Sequence, residues 1–306
     1  AQAIRTGIGD DCAVFSASEQ ETVISTDTLV EGRHFPRCCS GAVVASRALG
    51  SAVSDLAAMG AQPLGFTLSL SLPAFDDVWL TQFSNALFHC SEKWQIPLVG
   101  GDTVRGPLVV TVTVVGRVNH DQVLFRTGAD TGNDIWVSGS LGDAAGGLAV
   151  TLGSCANDLP QTVQDYLRRR FEQPEPRLQV GAYLTGIATA AIDISDGLLA
   201  DLGHILKASG RGAVLRTEIL PISRELKQAM GGEEALVAAL TGGDDYELCF
   251  TASARLRSRI TDFSVQTGSD CKLTRIGTIV AEPELAVYQE GKRRFFSQQG
   301  YKHFDN

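Results

Sequence analysis

The chain has 306 residues, enough for two ordinary domains, and its 44% hydrophobic, 20% charged composition is that of a folded protein. A formal net charge of -9 argues against electrostatic nucleic-acid binding, and it makes phosphorylated substrates awkward unless bound cations reverse the local sign. No apolar run approaches the ~20 residues of a membrane span.

The seven cysteines are scattered, and no pair has C-x-x-C spacing. Neither a disulfide framework nor a zinc site is expected, and a reducing cytoplasm fits best. No signal peptide is visible. The sequence opens on Ala1 instead of methionine, as expected of a chain lacking an N-terminal segment.

In chain order, residues 22–26 read as a short buried strand with Asp27 at its end. Residues 41–59 form a helix, with Val44, Ala48, Leu49, Ala52, Val53 and Leu56 at helical spacing and Gly60 as C-cap. Strict alternation from Leu64 to Leu72 predicts a half-buried strand. Asp76 is placed to cap a second helix whose inner face carries Trp79, Leu80, Phe83, Leu87 and Trp94. Residues 96–100 read as a buried strand running into Gly101-Asp102-Thr103, and 108–118 as a long β run. The polar, turn-rich stretch 126–133 suggests a boundary between a domain of residues 1–128 and one of 129–306. Beyond it come strands at 135–138, 190–194, 246–250, 273–280 and 285–288, and helices at 142–152, 166–171, 180–187 and 198–206, the last closed by Gly210.

Aspartates recur beside glycines or hydroxyl residues at Gly7–Asp11, Ser25–Asp27, Gly100–Asp102, Asp193–Asp196 and Gly242–Asp245. Glycines permit close backbone approach to a ligand, and their N–H groups can cradle phosphate. One such stretch is an ordinary turn; five at strand ends suggest metal ligands collected from distant places. Asp55 sits in the last turn of its helix, facing the negative end of the macrodipole, so either solvent or a nearby cation is required. The phosphate loop GxxxxGK[ST] is absent; the nearest lookalike, Gly291-Lys292, reads as a hairpin turn. Clustered metals would then take over the lysine's task. The histidines lack zinc spacing, no GxSxG elbow occurs, and Cys12 follows two aspartates whose charge disfavours a thiolate.

Together, in this order, GIGDDCAVF, ISTDTLVEGRHF, SDLAAMGAQP, LVGGDTVRGPL, DISDGLLADLGHI and GGDDYELCF resemble the thiamine-monophosphate kinase family over nearly the whole chain. That family lies within the aminoimidazole-ribonucleotide synthetase-like ATP-binding superfamily. The resemblance implies an α/β (α+β), two-domain fold: an N-terminal mixed sheet with helices, forming a barrel with its twin in a homodimer, and a C-terminal α/β domain. It implies ATP-dependent phosphorylation of thiamine monophosphate to thiamine diphosphate, assisted by several Mg²⁺ ions. By motif, Asp11, Ser25, Thr26, Asp27, Asp55, Asp102, Asp193 and Asp196 correspond to metal ligands, and Gly101, Asp102, Arg126 and Ser195 to nucleotide contacts. His34, Asp244 and Tyr301 correspond to substrate contacts. The family commonly has glutamate where Asp244 stands, and its usual segment before Gly7 is mostly absent. Asp10, Asp143, Asp201 and Asp245 read as structural residues of caps and turns. The alternatives are another enzyme of the superfamily, forming a purine-synthesis ring or selenophosphate, and a nucleotide-binding scaffold.

Overall fold

In residues 109–118, Val110, Val112 and Val114 alternate with Thr111 and Thr113, the two-residue period of a strand with one apolar face. The computed structural model describes residues 4–6, 14–15, 18–155, 158–296 and 300–301. The first half runs β1 (Ile4–Thr6), β2 (Val14–Phe15), β3 (Glu21–Val30), α1 (Gly41–Ala58), β4 (Gln62–Leu72), α2 (Asp77–Lys93), β5 (Leu98–Arg105) and β6 (Val109–Val118). Its main sheet has the order β3-β6-β4-β5. All neighbours are antiparallel except β4 and β5, which run parallel because α2 carries the chain across between them. Asp76 caps α2 as expected, accepting from the N–H groups of Val78 and Trp79 at 3.0 Å.

The second half runs β7 (Asp134–Ser138), α3 (Asp143–Thr151), α4 (Gln161–Glu172), α5 (Leu178–Leu184), β8 (Ala188–Ile194), α6 (Leu198–Ser209), β9 (Gly212–Arg216), α7 (Arg224–Met230), α8 (Gly232–Thr241), β10 (Glu247–Ala252), α9 (Arg257–Thr261), α10 (Phe263–Thr267), β11 (Leu273–Val280), β12 (Leu285–Gln289) and β13 (Lys292–Arg294). Its sheet has the order β13-β12-β9-β11-β7-β10-β8, antiparallel except where β12 meets β9. Among the described residues no helix is long and apolar enough to cross a membrane.

Two elements differ from the sequence reading. The strand expected at 22–26 is ten residues long, because β3 pairs with β6 along its whole length; Asp27 therefore lies inside it. The strand expected to be buried at 96–100 becomes β5, the outer strand of its sheet, and is exposed from Gly101 onward. The short elements β9, α7, α8, α9 and α10 went unread, since few residues give too little periodicity to detect.

α1 is the common element. All its residues but Ala42, Val43 and Asp55 are buried, the state expected of a helix whose faces are apolar or small all round. Val44, Leu49, Val53 and Leu56 pack with Phe83, Leu87, Val110, Val112 and Val114. Its last residues, Ala57 and Ala58, join a second cluster with Leu124, Trp136, Val180, Leu184 and Phe250, so the two halves share apolar core. There the approach is close: a Cβ added to Gly181 of α5 would lie 2.0 Å from the carbonyl oxygen of Ala57. Gly181→Ala is expected to cost about 1–3 kcal/mol by forcing the helices apart. Urea unfolding reads this cost, and an unchanged midpoint would show that the helices have room to spare.

Candidate active site

On the buried helix α1, Arg47, Ser51, Ser54 and Asp55 recur at three- and four-residue spacing and so share one face. Opposite that stripe, β3 directs Ser25 and Asp27 inward, and β8 brings Asp193 from the other half of the chain. Each aspartate then meets a serine. Ser25 Oγ donates to Asp55 Oδ2, Ser54 Oγ donates to Asp193 Oδ2 at 2.8 Å, and the Ser51 hydroxyl bonds to Asp27. Asp27, Arg47, Ser51, Asp55 and Asp193 line a cavity of about 490 Å³ together with His34, Ser195, Asp196, Asp244 and Tyr301.

The loop after β8 is fixed from below. The Asp201 carboxylate of α6 accepts from three consecutive backbone N–H groups, those of Ser195, Asp196 and Gly197, each at 3.0 Å. The loop before β10 is stitched to it by Asp244 N–H to Ser195 O at 2.9 Å and Tyr246 N–H to Ile194 O at 2.8 Å. Gly243 is required there, since a Cβ would lie 2.5 Å from Ser195 O. Asp244 and Tyr246 hold left-handed backbone, φ +70 and +51, which aspartate tolerates better than most residues. Between them Asp245 turns inward and accepts from Gly142 N–H and Ala144 N–H at 2.6 and 3.1 Å, capping α3 from a distance. Tyr246 Oη donates to Asp244 Oδ1 at 3.0 Å, and Arg47 Nη2 stands 3.0 Å from Asp244 Oδ2. Tyr301 reaches the cavity because its N–H bonds to Asp196 O at 3.0 Å. His34 Nδ1 accepts from Val30 N–H at 3.0 Å, so Nε2 carries the proton of the neutral ring.

Seven expected residues thus meet at one cavity: Asp27, His34, Asp55, Asp193, Ser195, Asp196 and Asp244, with Tyr301 at its edge. Ser25 joins them through Asp55, and the Arg126 charge acts on the same carboxylate, supplying the cation that the end of α1 demands. Thr26 and Asp102 are not brought there. The Thr26 hydroxyl pairs with Thr113 Oγ1 at 2.9 Å on the other face of β3. Asp102 lies in the cross-sheet row with Ser69, Thr111 and Thr28, on that same far face, where it accepts from Thr103 N–H at 2.8 Å. Gly101 is needed beside it, as a Cβ would sit 2.2 Å from Leu68 O. Asp11 lies outside the described residues. Sequence reasoning missed Arg47, Ser51, Ser54 and Tyr246; the polar stripe in an otherwise apolar helix was the available signal for the first three.

Burial raises Asp27 to about 6, with the charge of Asp55 adding and the Ser51 hydrogen bond opposing. Burial pushes Asp55 and Asp193 upward as well, against hydrogen bonds from Ser25 and Ser54. Burial, and then the charge of Asp196, lifts Asp201 to about 7. The donors are oxygens alone, and the charges are like-signed, which fits a hard divalent cation such as Mg²⁺. Among the described residues no group of three or more His, Cys, Asp or Glu side chains is placed to hold a metal ion by itself. A carboxylate whose folded pKa exceeds its unfolded value stabilises the fold fully below the unfolded value, and loses that contribution as pH rises through the folded one. For Asp27 the loss runs from its ordinary 3.8 to about 6, and for Asp201 to about 7. The metal-free melting temperature is expected to fall over this window, and Mg²⁺ to restore more of it at about pH 8 than at about pH 5. Calorimetry with chelator or Mg²⁺ measures both, and an equal increment at both pH values would contradict the cluster.

Two descriptions of the AIR synthase related protein family match, the N-terminal domain over residues 9–118 and the C-terminal domain over 130–290. The chain is 44% identical over 303 residues to thiamine-monophosphate kinase of Salmonella typhimurium, covering 98% of this chain and 92% of that one. The crystal structure of thiamine-monophosphate kinase from Stenotrophomonas maltophilia superposes with TM-score 0.87 at 42% identity, covering 95% of this chain and 92% of the other. A structure of AaThiL complexed with AMPPCP and TMP superposes with TM-score 0.82 at 30% identity, covering 97% and 92%. The two-domain α/β architecture and the order of its aspartate motifs therefore have one source: the chain belongs to the thiamine-monophosphate kinase family of AIR synthase related proteins.

Proposed function

We propose that this chain transfers the γ-phosphoryl group of ATP directly to the phosphate of thiamine monophosphate, giving thiamine diphosphate. The observation that carries this reading is the composition of the cavity. Its lining combines carboxylates from β3, α1 and β8 with His34, Asp244 and Tyr301 and the apolar residues Leu148, Leu152 and Phe171. The relative complexed with AMPPCP and TMP supports the same pair of substrates.

The acceptor is a phosphate oxygen, largely ionised at neutral pH because the second phosphate pKa is ≈ 6. It needs no general base, and the obstacle is repulsion between two polyanions. Bound at Asp27, Asp55 and Asp193, Mg²⁺ would supply charge neutralisation. Ser25, Ser51 and Ser54 hold those carboxylates in place, and Asp201 fixes Ser195 and Asp196 on the loop between donor and acceptor. Asp244, held by Tyr246 and Arg47, presents a fixed carboxylate to the cationic and amino-bearing rings of the acceptor, against which His34 and Tyr301 offer aromatic faces. Asp11, Thr26, Asp102, Gly101 and Arg126 complete the metal and nucleotide contacts in this reading.

A homodimer belongs to the reading. The sheet face away from α1 carries the Thr26–Thr113 and Thr28–Thr111 pairs and exposes Ile24 and Val104, 67% and 49% accessible, which suits a second copy. Cytoplasmic location is supported by the cysteines, six of which are free among the described residues.

Incubation with ATP, Mg²⁺ and thiamine monophosphate is expected to yield thiamine diphosphate by mass detection. ADP release indifferent to the acceptor would favour another reaction of the superfamily. Asp27→Asn is expected to keep the fold and lower kcat by about 100-fold or more. Near-normal turnover of that folded variant at saturating Mg²⁺ would sink the assignment of the carboxylates.

A further inference from the structure

Arg47 is only 1% exposed in the middle of α1, and the phosphoryl transfer described above uses it only as one of two holders of Asp244. Burying a guanidinium is costly unless good partners surround it. Here the partners come from both halves of the chain. Nη1 donates to Phe171 O at 2.7 Å. That carbonyl belongs to the last turn of α4, where the helix leaves acceptors unpaired and its dipole favours a cation. Nη2 donates to His34 O at 2.8 Å and stands 3.0 Å from Asp244 Oδ2. The guanidinium also lies 4.0 Å from the centre of the Phe171 ring. Nε has no hydrogen-bond partner among the described residues, so the two Nη groups carry the whole linkage.

His34 and Asp244 are far apart in sequence and reach the cavity on separate loops. One nitrogen of one buried side chain touches both. We propose that Arg47 is the positioning residue for the acceptor: its planar fork sets the separation of His34 and Asp244, and so the affinity for thiamine monophosphate. The proposal rests on the reading of those two residues as acceptor contacts. It assigns Arg47 no contact with ATP, whose phosphates would be held through cations on Asp27, Asp55 and Asp193. Lysine cannot replace it, because a point charge reaches one of these acceptors and leaves the other carbonyl unpaired.

The test is steady-state kinetics of Arg47→Lys, with both substrates varied and folding checked by thermal unfolding. The KM for thiamine monophosphate is expected to rise about tenfold or more, the KM for ATP to stay within about twofold, and kcat at saturating acceptor to be largely kept. Adding Asp244→Asn to Arg47→Lys should raise the acceptor KM by much less than Asp244→Asn does alone, because the two act as a unit. A folded Arg47→Lys with unchanged acceptor KM overturns the proposal, as does an equal rise in both KM values, the mark of a purely structural residue. Where Arg47→Lys does not fold, Arg47→Gln is compared in the same way, and absence of a selective rise overturns the proposal. A parent chain that fails to convert thiamine monophosphate overturns the functional reading itself, and this is seen before any variant is compared.

Discussion

The structure depends on one constraint: α1 is packed on nearly every side, yet one of its faces must carry polar groups. A helix so enclosed leaves no water to screen them. The response is pairwise satisfaction, with a serine for each of Asp27, Asp55 and Asp193, and backbone carbonyls and a carboxylate for Arg47. What the serines cannot do is cancel charge. Burial raises the proton affinity of all three acidic groups from β3, α1 and β8, and the charge of Asp55 adds to it at Asp27 and Asp193. In the proposed reaction, a cation arriving with a polyanionic substrate would relieve the repulsion between these carboxylates.

The loops that complete the cavity are rigid for a different reason. Their backbone groups are paired with one another, and Asp201 takes up the three N–H groups that the sharp turn at Ser195–Gly197 leaves over. Glycine at 243 lets the two loops touch, and the left-handed residues at 244 and 246 turn one carboxylate toward the cavity and let Asp245 turn inward to cap α3. Geometry of this kind is suited to orienting a substrate, because little conformational freedom is left to lose on binding.

Much of this was legible beforehand. The extents of α1, α2 and β4, the cap at Asp76 and the closures at Gly60 and Gly210 follow from interactions among residues close in sequence. The aspartate motifs were visible by recurrence, and Asp27, Asp193, Asp196 and Asp244 do meet in one cavity. The alternation of β3 also separates Thr26 from Ser25 and Asp27, but only once the strand is known to extend past residue 26. Arg47, Ser51 and Ser54 were not singled out, since periodicity registers apolar faces and is silent about a polar one turned inward.

The amino-acid sequence by itself determined the local elements, the family and the chemical character of the site: oxygen donors, aromatic rings and no thiol or imidazole cage. Only the tertiary structure decided which carboxylates face each other, which side of the first sheet Asp102 occupies, and that Arg47 joins His34 to Asp244. The reason is that burial, Coulomb repulsion and hydrogen bonding depend on distances through space. Asp27, Asp55 and Asp193 are remote along the chain, and nothing short of the packing of α1 between β3 and β8 makes them neighbours.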